Sequence, residues 1–154
     1  MSEDALLLDD ETKAAIENAI VAAEEGNRGE VRVHLEEHCD DAMKRAQQVF
    51  EGLGMRATQE DTGVLLYIAV KSRKTAVFAG SGIFSAAEPG FWKAAVDEVA
   101  DGYRHGEPQA GITKALQAIG DLLREHVAGD DVAGDELPNV VTTEKDLDEE
   151  ANRS

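Results

Sequence analysis

Glu30, Glu60 and Asp61 stand just before two strand-like runs, and loops entering neighbouring strands can converge at one end of a sheet. Carboxylates gathered there would offer hard oxygen ligands to calcium or magnesium. Asp97, on a helix further along, is a fourth candidate. The alternative is that these acids cap helices and solvate turns. No Asp-x-Asp-x-Asp-Gly loop is present, so a tight EF-hand type of site is excluded and any cation would be weakly held. His34, His38 and Cys39 form a His-x3-His-Cys cluster that could hold a transition metal. Zinc ligands with this spacing usually sit on a helix or in a knuckle, and the competing reading of His34 is an exposed strand histidine.

Phosphoryl transfer would need cations around the phosphate and an oriented nucleophile. Arg56, Lys71 and Arg73 are the cations within reach of the acidic turn in the chain. The sequence has no Cys-x5-Arg loop and no Asp-x-Asp pair after a buried strand. Gly80-Ser81-Gly82 is a Gly-x-Gly, but it follows a hairpin strand and lacks a third glycine at dinucleotide spacing. It reads as a turn whose glycines take positive φ.

The elements that would position these groups are legible from periodicity. Val64-Leu65-Leu66-Tyr67-Ile68-Ala69-Val70 is a short, wholly apolar run, the pattern of a central strand buried on both faces. Four polar residues link it to Thr75-Ala76-Val77-Phe78-Ala79. A connection this short requires an antiparallel hairpin over residues 64–79. Val31-Arg32-Val33-His34-Leu35-Glu36 alternates strictly, which predicts a strand with one dry face and one face that is either wet or at the edge of a helix.

Helices are predicted after Asp9-Asp10, ending at Gly26, and after Asp40-Asp41, ending at Gly52 and Gly54. Two more open at Glu88-Pro89 and at Pro108. A leucine among Leu6 to Leu8 can staple onto the first turn. Trp92 belongs to the apolar stripe of its helix and reads as core.

Composition bounds the partners. The 154 residues carry 15 Lys and Arg against 32 Asp and Glu, a formal charge of -17. Such a surface repels nucleic acid and anionic membranes and favours cations or proteins with a basic surface, unless it serves solubility alone. One cysteine rules out an intrachain disulfide, and no apolar run reaches the roughly 18 residues of a membrane span. The N-terminus lacks a basic start and a long apolar stretch, so the expectation is a cytoplasmic, monomeric protein. Residues 129–154 hold nine acidic and two basic side chains. Residues 136–143 are expected to dock as an extended segment, closing a domain over 1–143, and 144–154 to be a mobile acidic tail.

Gly29-Glu30-Val31-Arg32-Val33-His34, Phe50-Glu51-Gly52-Leu53-Gly54-Met55, Thr62-Gly63-Val64-Leu65-Leu66-Tyr67-Ile68-Ala69 and Ala79-Gly80-Ser81-Gly82-Ile83 occur in order. A Phe-Trp helix follows, and then Glu136-Leu137-Pro138-Asn139. This succession resembles the TPM domain family, over roughly residues 6–143. The family includes thylakoid-lumen proteins of photosystem II repair and nematode modulators of acetylcholine receptors, and this chain is similar to its short soluble bacterial branch. The resemblance implies an α/β/α sandwich around a small mixed sheet. It also implies either divalent-cation binding or a metal-assisted acid phosphatase. The family's Asp-Asn-Gly turn reads Asp61-Thr62-Gly63 here, and Ser81 stands where many members carry an acid. Taken together, the sequence favours a non-catalytic binding or assembly module with weak calcium or magnesium binding.

Overall fold

The computed structural model describes residues 9–55, 60–129 and 141–152. Helix α1 (Asp10–Glu24) starts at Asp9, whose carboxylate accepts a hydrogen bond from Thr12 N–H. Asp10 and Glu11 in its first turn suit the positive end of the helix dipole. Gly26, with φ 77°, turns the chain into β1 (Glu30–Glu36). Asp41 caps α2 (Ala42–Gly52) by accepting from Lys44 N–H. Next come β2 (Gly63–Ala69), β3 (Lys74–Ala79) and the single turn α3 (Ser81–Phe84). The long helices α4 (Phe91–Arg104) and α5 (Pro108–His126) follow, then β4 (Val141–Thr143) and α6 (Glu144–Asn152). Pro108 opens α5 as predicted, but α4 begins later than Glu88-Pro89 implied. Its cap is Gly90, held at φ 86°, a left-handed conformation that glycine adopts without a Cβ clash.

The sheet order is β3-β2-β1-β4. β1 pairs in parallel with β2 and β4, and β2 pairs antiparallel with β3 in the expected hairpin. Every residue of β2 is buried, as its apolar run requires. Val64, Leu66 and Ile68 face α1, α4 and α5, together with Val31, Val33 and Leu35 of β1. Leu65, Tyr67 and Ala69 face α2, joined by Leu147 of α6. Helices therefore cover both faces of a small mixed sheet, a three-layer α/β/α sandwich. Each fully buried Leu or Ile contributes roughly 1.5–3 kcal/mol, so β2, packed from both sides, anchors the fold. Among the described residues no helix is long and apolar enough to cross a membrane.

Two expectations change. Of the two readings of the polar face of β1, wet or helix-edge, the wet one fails: Glu30, Arg32, His34 and Glu36 are all 5% exposed or less. They alternate with the apolar residues of β1 and lie on the α2 side, in register with Gly63, Leu65, Tyr67 and Ala69. Strand alternation reports that two faces differ in chemistry, and burial is then decided by what packs above each face. The second change is in the C-terminal stretch. Val141–Thr143 form an edge strand, but residues 144–152, read as mobile tail, are helical. Asp146 accepts from Thr143 N–H at 3.0 Å, closing the helix start as a capping box does, and Leu147 sits against Gly52. The signal was present as Thr143-Glu144-Lys145-Asp146, obscured by the acidic composition around it. The leucine staple at 6–8, Arg56 and the island at 137–140 lie outside the described residues.

Candidate functional site

The rim at the entry of β2 is built on Asp61. Its φ is 52°, a left-handed conformation uncommon for a residue with a Cβ and tolerated best by Asp and Asn. The conformation is fastened from α3. Asp61 Oδ2 accepts from Ser81 N–H at 2.9 Å and from Ser81 Oγ at 2.7 Å, and the Asp61 carbonyl accepts from Gly82 N–H at 2.9 Å. Gly80 and Gly82 prove to be close-approach glycines, and neither has the positive φ read from the sequence. A Cβ on Gly80 would lie 2.2 Å from the Asp61 carbonyl oxygen, and one on Gly82 2.0 Å from that of Glu60. The Gly-x-Gly therefore admits the backbone of the acidic turn.

The other sequence candidates have separate fates. Glu60 is exposed and gripped by Arg28, with Nε–Oε2 2.8 Å and Nη2–Oε1 3.1 Å. This charged hydrogen bond holds its carboxyl below the usual carboxylate range. Glu30 faces the α2 side of the sheet in contact with Arg32 Nη2 at 3.5 Å. Burial pushes its carboxyl up, and Arg32 offsets this only in part. Asp97 is on the exposed side of α4, paired with Lys93 at 3.0 Å. Asp61, Glu60 and Ser81 are thus neighbours on one rim, whereas Glu30 turns inward and Asp97 is engaged along its own helix. Among the described residues no three His, Cys, Asp or Glu side chains gather to hold a metal ion.

The histidine-cysteine cluster is not assembled. His38 is 69% exposed beside Glu37, and Cys39 N–H donates to Ser72 Oγ. His34, expected at the surface, is fully buried. Its Nε2 donates to Glu36 Oε1 at 3.1 Å, so in the neutral ring its Nδ1 accepts from Thr142 Oγ1 at 2.8 Å. Glu36 also receives Arg45 Nε at 3.0 Å on each oxygen, Arg45 Nη2 at 2.5 Å and Tyr67 Oη at 2.5 Å. Burial alone would push the Glu36 carboxyl up. The hydrogen bonds from His34, Arg45 and Tyr67 outweigh it and bring its pKa down to about 2. Burial and the negative neighbour Glu36 hold the Tyr67 hydroxyl protonated well past its ordinary range.

Sequence reading missed this network. Its members come from β1, α2, β2 and β4, and the one local signal is the His34-x-Glu36 spacing, which puts both side chains on one face of a strand.

The cations proposed for a phosphate also move away. Lys71 pairs with Glu37 at 3.5 Å, and Arg73 takes φ 54° in the β2–β3 connection. Both lie beyond the exit of β2 and Asp61 lies before its entry. A strand of this length separates them by about 20 Å.

A family model described as the TPM domain matches residues 1–122. No curated protein matches the chain. Among solved structures it is similar to the BA42 protein from the psychrophilic bacterium Bizionia argentinensis, solved by NMR. Identity is 31%, covering 88% of this chain and 94% of that one, with a TM-score of 0.77. The N-terminal domain of the cg2496 protein of Corynebacterium glutamicum shares the fold at 12% identity and a TM-score of 0.60, over 81% of this chain and 80% of that one. An N-terminal domain from P. gingivalis does so at 15% identity and 0.64, over 82% and 84%. With a model match over most of its length and the sandwich fold to go with it, the chain belongs to the TPM domain family.

Proposed function

We propose that this TPM domain is a non-catalytic binding or assembly module. In this reading its acidic rim, centred on Asp61 with Glu60 beside it, takes calcium or magnesium weakly and receives a protein with a basic surface. Glu30, buried on the α2 side, and Asp97, paired with Lys93 along α4, stand apart from that rim. The observation that carries the reading is the fixation of Asp61 by Ser81 and Gly82 in a left-handed turn, next to a second carboxylate. Carboxylate and hydroxyl oxygens are the ligands that hard divalent cations take. Here Ser81 and Arg28 already occupy several of those oxygens, which argues for a dissociation constant on the order of millimolar. The groups with the strongest pKa displacement, Glu36 and Tyr67, are enclosed within the sandwich. They support a structural role and leave the rim for binding.

Titration with calcium or magnesium, followed by amide shifts, tests this. Shifts confined to residues 60–63 and 80–82, and abolished in Asp61→Ala, are expected. Small uniform shifts over all acidic surfaces would reduce the effect to screening. Release of phosphate from an aryl phosphate is expected to be the same for wild type and Asp61→Ala. A rate that falls with that substitution would turn the reading toward a metal-assisted phosphatase.

A further inference from the structure

We propose that Phe84, Trp92 and Phe91 form a docking surface for an extended, arginine-bearing segment of a partner protein. The inference rests on the reading of the chain as an acidic binding module. Of seven aromatic side chains (four Phe, two Tyr, one Trp), three gather here. Phe84 is 54% exposed although its neighbour Ile83 is fully buried. Its ring lies parallel to that of Trp92, centroids 6.2 Å apart and planes within 5°, and Phe91 meets Trp92 edge-on at 4.9 Å.

The arrangement is held in place. Trp92 Nε1 donates to the Phe84 carbonyl at 3.2 Å, and Trp92 and Phe91 pack half-buried against the large core. The four-residue turn α3 links this cluster to the rim, since Ser81 at its start is bound to Asp61. Charge completes the match. Exposed Glu88 lies between Phe84 and Phe91 in the chain, half-buried Asp61 is bound to Ser81 three residues before Phe84, and the cation of Lys93 is paired with Asp97. A guanidinium stacks on aromatic faces and can reach a carboxylate with the same planar group. The -17 charge would draw such a segment in and steer its approach.

Trp92 is the sole tryptophan, so its indole fluorescence and indole N–H resonance report on this surface alone. The probe is a short blocked peptide alternating arginine and glycine, with a citrulline version as the uncharged control. The arginine peptide is expected to shift the Trp92 signals at low salt, and the citrulline peptide to leave them unmoved. Phe84→Ala and Phe84→Leu are each expected to weaken binding about fivefold, the leucine variant because it keeps apolar bulk but has no ring face. Val21→Ala, at an exposed residue of α1, should bind as wild type does. Binding undiminished in both Phe84 variants, or binding that leaves Trp92 silent, would overturn the docking surface while the acidic-module reading stands. No binding to wild type at low salt would overturn both.

Discussion

Glu30 and Glu36 begin and end the same strand, face the same side of the sheet and are both buried, yet their carboxyl groups shift in opposite directions. Glu36 receives hydrogen bonds from His34, Arg45 and Tyr67, and its pKa falls to about 2. Glu30 has Arg32 at 3.5 Å, beyond good hydrogen-bond distance, and its pKa rises. Arg32 Nε is itself without a hydrogen-bond partner among the described residues. Burial raises both carboxyls. What separates them is the number and geometry of the donors, because in a low-dielectric setting a satisfied ion is held firmly and an unsatisfied one is costly.

Breaking the better-served end should cost most. Glu36→Ala would strand Arg45, Tyr67 and His34 around a vacated site, and a loss of about 3–5 kcal/mol is expected in denaturant unfolding. A loss below about 1 kcal/mol would erase the contrast.

Acid should reveal the same end more gently. The folded pKa of Glu36, about 2, lies below the ordinary glutamate value of 4.5. Its stabilisation is therefore complete above pH 4.5 and drains away as pH falls toward 2, on the order of 3 kcal/mol in all. Subtracting the unfolding free energy of Glu36→Gln from that of wild type, pH by pH, isolates this term from the other carboxylates. A difference that stays flat from pH 6 to pH 2 would contradict it.

The smallest effect is expected at the other end. Replacing Glu30 and Arg32 together by leucine removes a pair that satisfies itself poorly, so the change should be near neutral or stabilising by about 1–2 kcal/mol. A destabilisation comparable with that of Glu36→Ala would show the two ends to be alike.

Much of the architecture could be read directly. The seven-residue apolar run and the short polar connection to the next strand dictated a buried strand and an antiparallel hairpin, because both depend on period and loop length. The acidic turn was also legible as a rim, since it enters that strand. Its partner Ser81 was legible only as part of a Gly-x-Gly, and the reason for those glycines lay in the backbone of Glu60 and Asp61, some twenty positions earlier. The cations Lys71 and Arg73 were close to Asp61 in the chain and are distant in space, because a strand intervenes between them.

The sequence by itself determined the buried central strand, the hairpin and the net negative charge. These follow from local periodicity and composition, which need no knowledge of distant neighbours. Only the tertiary structure decided that the polar face of β1 is interior, that Glu36 is an anion fixed by three donors, and that Phe84 stays outside while Ile83 goes in. Each of those outcomes depends on side chains brought from other elements. Ionisation and exposure are set by the surroundings a residue acquires on folding, and its own identity specifies neither.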